Sequence, residues 1–409
     1  MRLRLSVAGA CLGLACICGF EQSVQASDRL SPDQTLCRPR MAATPKLLAP
    51  GVRVLRTTRG LGTCPRGIRP TANGRRGTLW ATDTFNGLWK SSDDGKAWRL
   101  AYTATAYHNV ERVLQLRSGR ILIVVADYKG RRHILRSSDS SGTKFGKPVM
   151  NFPFDPTVDN QDTAPRLLGS QSWTQAPNGA IYVGEYGFAV LNGIKLWKST
   201  NDGKSFRVAA SWSDVRHIHS VYADPYSRNK LWVAIGDTGR QPRIGYSTDG
   251  GATFTYVSRG RYPESRAVGL LFTRNAVLWA TDSPEVPAGF FRWDRASGQV
   301  SRVLTGLNGP FYYTAQFRNA YVQFSTVSLR SNDGYIGDEY IHVVSSKNGS
   351  SWSSTKTSWI RARQPLDKAT ILGITRPDSH GRFWVSFYDL AGATIASGRT
   401  TAVELQLVR

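Results

Sequence analysis

Five short turns of one design punctuate this chain, and a turn that recurs at near-regular spacing restricts the fold more than any local propensity does. Ser91-Ser92-Asp93-Asp94-Gly95-Lys96-Ala97-Trp98 has the form S-x-D-x-G-x-x-aromatic, and Ser247 to Phe254 repeats it. Three looser copies keep the plan: Ser199 to Phe206 with Asn201 in the Asp place, Ser345 to Trp352 with Lys347 there, and Ser137 to Phe145 with one residue inserted. The first serines fall at 91, 137, 199, 247 and 345, so the last gap is about twice the others and predicts a missing copy near Ala296, where Arg292 to Gly298 is turn-like without the consensus. Each copy joins two short β-type runs, as Gly87 to Lys90 and Trp98 to Tyr102 do. The unit is a hairpin turn: the Asp accepts backbone N–H bonds, the Gly supplies positive φ, and the aromatic returns to the core.

A second period counts the units. A Gly or Asn followed by an apolar, aromatic-rich run begins at Gly77, Gly119, Gly179, Asn229, Asn275, Asn319 and Gly381. Seven starts imply seven blades, and residues 51–409 divided among them give about 51 residues each, near the length of a four-stranded propeller blade. The expectation is an all-β, seven-bladed β-propeller of four-stranded antiparallel blades over 51–409. The strand Ala402 to Val408 should close the ring beside Val52 to Thr57, which removes exposed edges. Nine of the 12 tryptophans fall in repeated slots (Trp80, Trp232, Trp279, Trp384; Trp89, Trp197, Trp293; Trp98, Trp352) and read as packing between blades. Trp173 lies outside those slots.

Ahead of the propeller, Arg2 and Arg4 precede an apolar run from Leu5 to Phe20 and then Val24-Gln25-Ala26, a small-residue cleavage site. Residues 1–26 read as a secretory signal peptide and 27–50 as an irregular N-terminal arm, so the mature chain is expected to be secreted or periplasmic. No later run approaches the roughly 20 apolar residues of a membrane helix, and no integral membrane segment is expected. Removing the leader takes Cys11, Cys16 and Cys18 with it, leaving Cys37 and Cys64 as the only cysteines in an oxidising compartment. A disulfide between them is the expectation.

The turns are Asp-boxes, and the chain resembles the sialidase-like β-propellers that carry them. True sialidases have six blades and an Arg-Ile-Pro motif near the first; here Arg66-Gly67-Ile68-Arg69-Pro70 reorders those letters and the count is seven. Seven blades with His, Tyr and Arg at the mouth look more like propeller polysaccharide lyases of the uronate-cleaving type, and that resemblance implies His and Tyr as acid–base groups. In such propellers the third-to-fourth turns, and with them the Asp-boxes, lie on one face. Second-to-third loops and the segments leading into each first strand meet on the other, around the channel mouth. A carboxylate follows the second strand in six blades: Asp83, Asp127, Glu185, Asp237, Asp282 and Asp389. Each either pins its own loop or lines a polar mouth. Segments leading into first strands add His108, Trp173, Arg216, His217, His219, Arg266, Tyr312 and Tyr313, and Tyr186 follows Glu185. His217 and His219 are two apart, so on a strand they share a face.

These residues suit abstraction of the proton α to a uronate carboxylate. His217, His219, Tyr186 and His108 are the candidate catalytic groups; Arg216, Arg266, Asp83, Glu185, Asp237, Asp282, Tyr313 and Trp173 are the candidate substrate contacts. A hydrolase using two of the carboxylates is the variant, and a non-catalytic glycan- or protein-binding propeller of the cell envelope is the alternative. With 53 Lys and Arg against 29 Asp and Glu, the formal charge is +24. Arg131, Arg132, Arg240, Arg243, Arg259, Arg261 and Arg330 fall toward the mouth, and a positive field there concentrates polyanions. Acidic polysaccharide is the expected partner. Nucleic acid is not, because export separates the chain from it and no recognition motif occurs. No cofactor is implied and no metal site is read, the 12-residue calcium-loop pattern being absent. The sequence sets no oligomeric state.

Overall fold

The computed structural model describes residues 36–59, 68–74, 77–83, 85–152, 171–187, 193–283, 286–326, 340–361, 370–388 and 401–408. Residues 1–26, expected to be a signal peptide, and Cys64, Arg330 and Asp389 lie outside them. Among the described residues the regular structure is all β, in seven antiparallel sheets that follow one another along the chain as blades of a propeller. Among the described residues no helix is long and apolar enough to cross a membrane.

Each apolar run found in the sequence is the second strand of a blade: Leu79–Thr82, Ile121–Ala126, Ile181–Gly184, Leu231–Ile235, Ala276–Ala280, Ala320–Ser325 and Arg382–Tyr388. These strands are buried on both faces rather than alternating, Ile121–Ala126 at all six positions, because each sheet is sandwiched between two neighbours. The core is accordingly divided into seven apolar clusters, one at each interface between blades. Trp232 and Trp279, for example, meet Phe272, Phe291 and Trp293 between blades four and five. The repeated-slot tryptophans are packing groups.

Ring closure has the expected form. Blade seven is built from Thr370–Ile374, Arg382–Tyr388 and Thr401–Leu407, and its fourth strand is Val52–Arg59 from the other end of the chain, with Val52 opposite Leu407 and Thr58 opposite Ala402. Part of the arm is more ordered than its composition suggested. Arg40–Ala49 adds a fifth strand outside Val52–Arg59, and Leu36–Cys37 adds an edge to blade one opposite Trp98 and Arg99. Cys37 is buried there; its expected pairing with Cys64 falls outside the described residues.

The repeated turns join third to fourth strands and share one bonding scheme. The Gly95 N–H donates to Ser91 Oγ and the Ala97 N–H to Asp93 Oδ1; Gly203 with Ser199, and Gly251 with Ser247, repeat the first bond. In blade six the Asp role belongs to Asn348, not Lys347. Ser350 and Ser351 donate their N–H groups to Asn348 Oδ1, so the motif starts one residue later, at Ser346. Near 296 a turn without the consensus forms on Asp294, which accepts from Ala296 and Ser297. The turns also fasten each blade to the one before it. Arg136 of blade two bonds Asp202 of blade three, Lys198 of blade three bonds the Gly250 carbonyl of blade four, and Arg295 of blade five grips the buried Asp224 of blade four. Gly95 has φ +82° and an added Cβ would lie 3.0 Å from Trp384 of blade seven, so only glycine fits that seam.

Trp232 is fully buried and its Nε1 donates to Asp224. Trp232→Ala is expected to destabilise the chain by about 3–5 kcal/mol, read as a lowered midpoint in chemical denaturation. A loss under about 1 kcal/mol would argue against indole packing as the seam that holds blades four and five together.

Candidate functional site

The hub face is assembled by backbone pairing between neighbouring blades. Tyr186, just past the second strand of blade three, forms an isolated β-bridge with His217 at the start of blade four, flanked by Gly187 N–H to Arg216 O and Ile218 N–H to Glu185 O. Arg266 is fixed within blade five: its carbonyl accepts from the Asp282 N–H, and Ala267 bridges Thr281. Blades three and four are thus zipped by backbone at the mouth, and the Phe311 N–H donating to the Thr281 carbonyl joins blade six to blade five.

Around these zips the side chains converge on Asp237. The Tyr186 and His217 rings stack with centroids 4.1 Å apart and planes 5° apart, and the His217 and His219 rings lie 4.5 Å apart. Asp237 Oδ2 receives Arg216 and lies 3.7 Å from His217 Nε2. Asp237 Oδ1 meets Arg266 Nε at 2.6 Å and lies 3.8 Å from His219 Nε2, and Arg266 Nε also reaches Asp282 at 3.1 Å. His217, His219, Asp237, Asp282 and Tyr186 are buried, while 29% of the Arg216 side chain remains open to solvent. His217, His219 and Asp237 form the one group of His, Cys, Asp or Glu among the described residues with ligand atoms close enough to share an ion.

Burial dominates the proton affinities. It holds both histidines well below the ordinary imidazole range, His219 to about 4, with the neighbouring arginines pushing the same way. Burial and the Asp282 charge raise the Tyr186 phenol, and the same two causes raise Tyr312. Near neutral pH the site therefore combines two uncharged imidazoles, two protonated phenols, and two guanidiniums set against two carboxylates.

Of the candidate residues, Tyr186, Arg216, His217, His219, Asp237, Arg266 and Asp282 come together. Tyr312 joins them through Asp282 and Arg266; Tyr313 packs in the core between blades six and seven, its hydroxyl still close enough to Tyr186 to affect it. Four candidates are placed otherwise. Trp173 is 1% exposed in the core between blades two and three, which removes it as a substrate contact. Asp83 accepts from Trp89 Nε1 and the Phe85 and Gly87 N–H groups, and Glu185 accepts from Trp197 Nε1 and the Lys195 N–H, so both pin their own blades. His108 is exposed on blade two beside Tyr128, and no described contact ties it to the cluster. Asp127, too, is a loop pin, bonded to Lys129 and Arg131.

One sequence signal separates the pinning carboxylates from the converging ones. Opposite the second strand, Trp89 and Trp197 pair with Ala81 and Val183, and each indole N–H takes its blade's carboxylate. The corresponding partners in blades four and five are Arg243 opposite Ile235 and Phe290 opposite Ala280. Phe290 offers no side-chain N–H and the Arg243 guanidinium goes to Asp214, so Asp282 and Asp237 pair with other arginines instead. Sequence reasoning missed Gln171 altogether. Its side chain bonds Tyr222, Thr314 and the Tyr312 carbonyl, linking blades three, four and six beneath the mouth. Beside the hub, the loop that carries Asp237 also borders an open cleft of about 790 Å³ lined by Arg240, Arg243, Arg259 and Asp214.

No protein-family model matches the chain, and no curated protein does. Solved structures do match in fold. A GH74 enzyme of Niastella koreensis superposes with TM-score 0.53 at 18% identity over 82% of this chain and 54% of its own, so the chain spans about half that enzyme's length. An oligogalacturonate lyase in complex with manganese gives 0.53 at 10% identity, covering 91% of this chain and 98% of the lyase. YCF48 bound to D1 peptide gives 0.52 at 13% identity, over 89% and 98%. At these identities the likeness is one of propeller fold.

Asp237 is the shared ion-pair partner of two arginines, and removing a partner from a buried ion pair leaves charge uncompensated. Asp237→Ala is expected to cost about 3 kcal/mol and Arg216→Ala, whose head group reaches solvent, less than half of that. Paired denaturation curves check the order, and equal losses would count against Asp237 as the organiser.

Proposed function

We propose that the hub binds a carboxylate-bearing sugar of an acidic polysaccharide, and that the chain is an exported carbohydrate-active propeller that cleaves such a polymer by elimination. The observation that carries this reading is the pair Arg216 and Arg266 facing protonated phenols and uncharged imidazoles at one mouth. A guanidinium bound to a uronate carboxylate stabilises the charge that develops when the neighbouring C–H loses its proton. The Nε2 of an uncharged imidazole, His217 or His219, accepts that proton, the electron pair of the C–H bond forms the new C=C bond, the C–O bond to the leaving sugar breaks, and its oxygen takes a proton from a phenol. Tyr186 is the acid in this reading, because its raised proton affinity keeps it protonated until the leaving oxygen becomes basic. The arginine cleft beside the Asp237 loop gives a polymer a path outward from the hub. Export follows from the leader at residues 1–26, and the oxidising compartment it implies suits a Cys37–Cys64 disulfide. The Asp-box turns support a place among sialidase-like propellers.

Incubation with uronate polymers while following the absorbance of unsaturated uronate tests the activity. Product is expected, with Tyr186→Phe lowering its rate by about 10²–10⁴-fold while binding persists. No product from any acidic polymer, together with salt-sensitive glycan binding that survives Tyr186→Phe, His217→Ala and His219→Ala, would replace this reading with a non-catalytic binding propeller.

A further inference from the structure

The two histidines are arranged as ligands. His217 Nδ1 lies 3.1 Å from the Gly187 carbonyl and His219 Nδ1 lies 2.7 Å from the Ala267 carbonyl. A carbonyl only accepts, so each Nδ1 carries the hydrogen, and in the neutral ring each Nε2 is left with a lone pair. Both Nε2 atoms point toward the Asp237 carboxylate, at 3.7 and 3.8 Å. Lone pairs on both sides of a gap too long for a hydrogen bond repel, and His217 Nε2 is a buried polar atom with no hydrogen-bond partner.

We propose that His217 Nε2, His219 Nε2 and one oxygen of Asp237 bind a divalent first-row transition-metal ion. Donors about 2.1 Å from one ion at tetrahedral angles lie about 3.4 Å apart, and the ligand atoms here all lie within 4.8 Å of one another, so the set closes by side-chain shifts of up to about 1.4 Å. Two imidazoles and a carboxylate suit a zinc-class ion and leave a position open, as in catalytic rather than structural sites. The carbonyls of Gly187 and Ala267 are the outer partners that hold ligating imidazoles in orientation. Asp237 keeps its arginines, because a carboxylate has about four lone-pair sites. Arg216 and Arg266 balance Asp237 and Asp282, so the ion makes the hub net cationic and primes it for an anionic ligand. An ion held by both imidazoles occupies the nitrogens that would accept the carbon-bound proton, so ion binding and that proton transfer are alternative uses of the one site.

The inference shares its site with the glycan reading but is measured without any glycan, so either can fail alone. The full-length chain, stripped with a chelator and dialysed against Zn²⁺, should retain one ion, as should His133→Ala, a control for adventitious histidine binding. His217→Ala and His219→Ala should each bind at least about tenfold more weakly. Loading with Co²⁺ should give a visible ligand-field band that both variants lose. If the alanine variants fail to fold, His217→Gln and His219→Gln serve instead, with melting followed at rising Zn²⁺: the melting temperature of the unaltered chain should climb, and that of the variants should not. Less than one ion per chain, or equal binding after loss of either histidine, overturns the proposal.

Discussion

A four-stranded sheet that is apolar on both faces cannot stand in water by itself, and this chain contains seven of them. That constraint organises everything else. Each sheet finds cover only between two others, so the set must close on itself, and the seven clusters of buried side chains are the seams of that closure. Turns of one bonding design then tie successive sheets together at the opposite end from the hub. With the seams fixed, the starts of first strands and the ends of second strands have no choice but to meet around the axis.

What meets there is an electrostatic balance with little slack. Asp237 stands at its centre, contacting the arginines of two neighbouring segments while facing two imidazole nitrogens. The same structural position serves two purposes around the ring. Where the third strand supplies an indole N–H, the carboxylate is consumed in holding its own blade, as Asp83 and Glu185 are; where that strand offers phenylalanine, or an arginine already taken by Asp214, the carboxylate faces the hub. Recruitment of a carboxylate to the mouth thus depends on a side chain one strand away.

The blade count, the identity of every second strand and the closing strand were legible because each is a repeated pattern of apolar residues and turns. The convergence of Tyr186, His217, His219, Arg266 and Asp282 was legible for the same reason: propeller topology fixes where those segments end. What local pattern does not encode is which groups pair. The partition of the carboxylates needs strand register, which places Trp89 opposite Ala81 but Phe290 opposite Ala280. Trp173 looked free because it fell outside the repeated slots, yet the first strand of blade three turns it into the seam with blade two. Gln171 carries no motif at all, and only the ring brings it to residues about 140 positions away. The hairpin of blade six was misread by one position because its two adjacent serines offer two registers, and hydrogen bonding chooses Ser346.

The pairing of Val52–Arg59 with Thr401–Leu407 has a consequence for the order of events during biosynthesis. A ribosome releases the earlier strand some 340 residues before its partner exists, so that strand must wait, paired only with Arg40–Ala49, while six other sheets are made. A nascent chain halted before Thr401–Leu407 would leave the inner side of Val52–Arg59 as a raw edge in an open arc. Synthesis of Thr401–Leu407 is therefore what turns a string of sheets into a wheel.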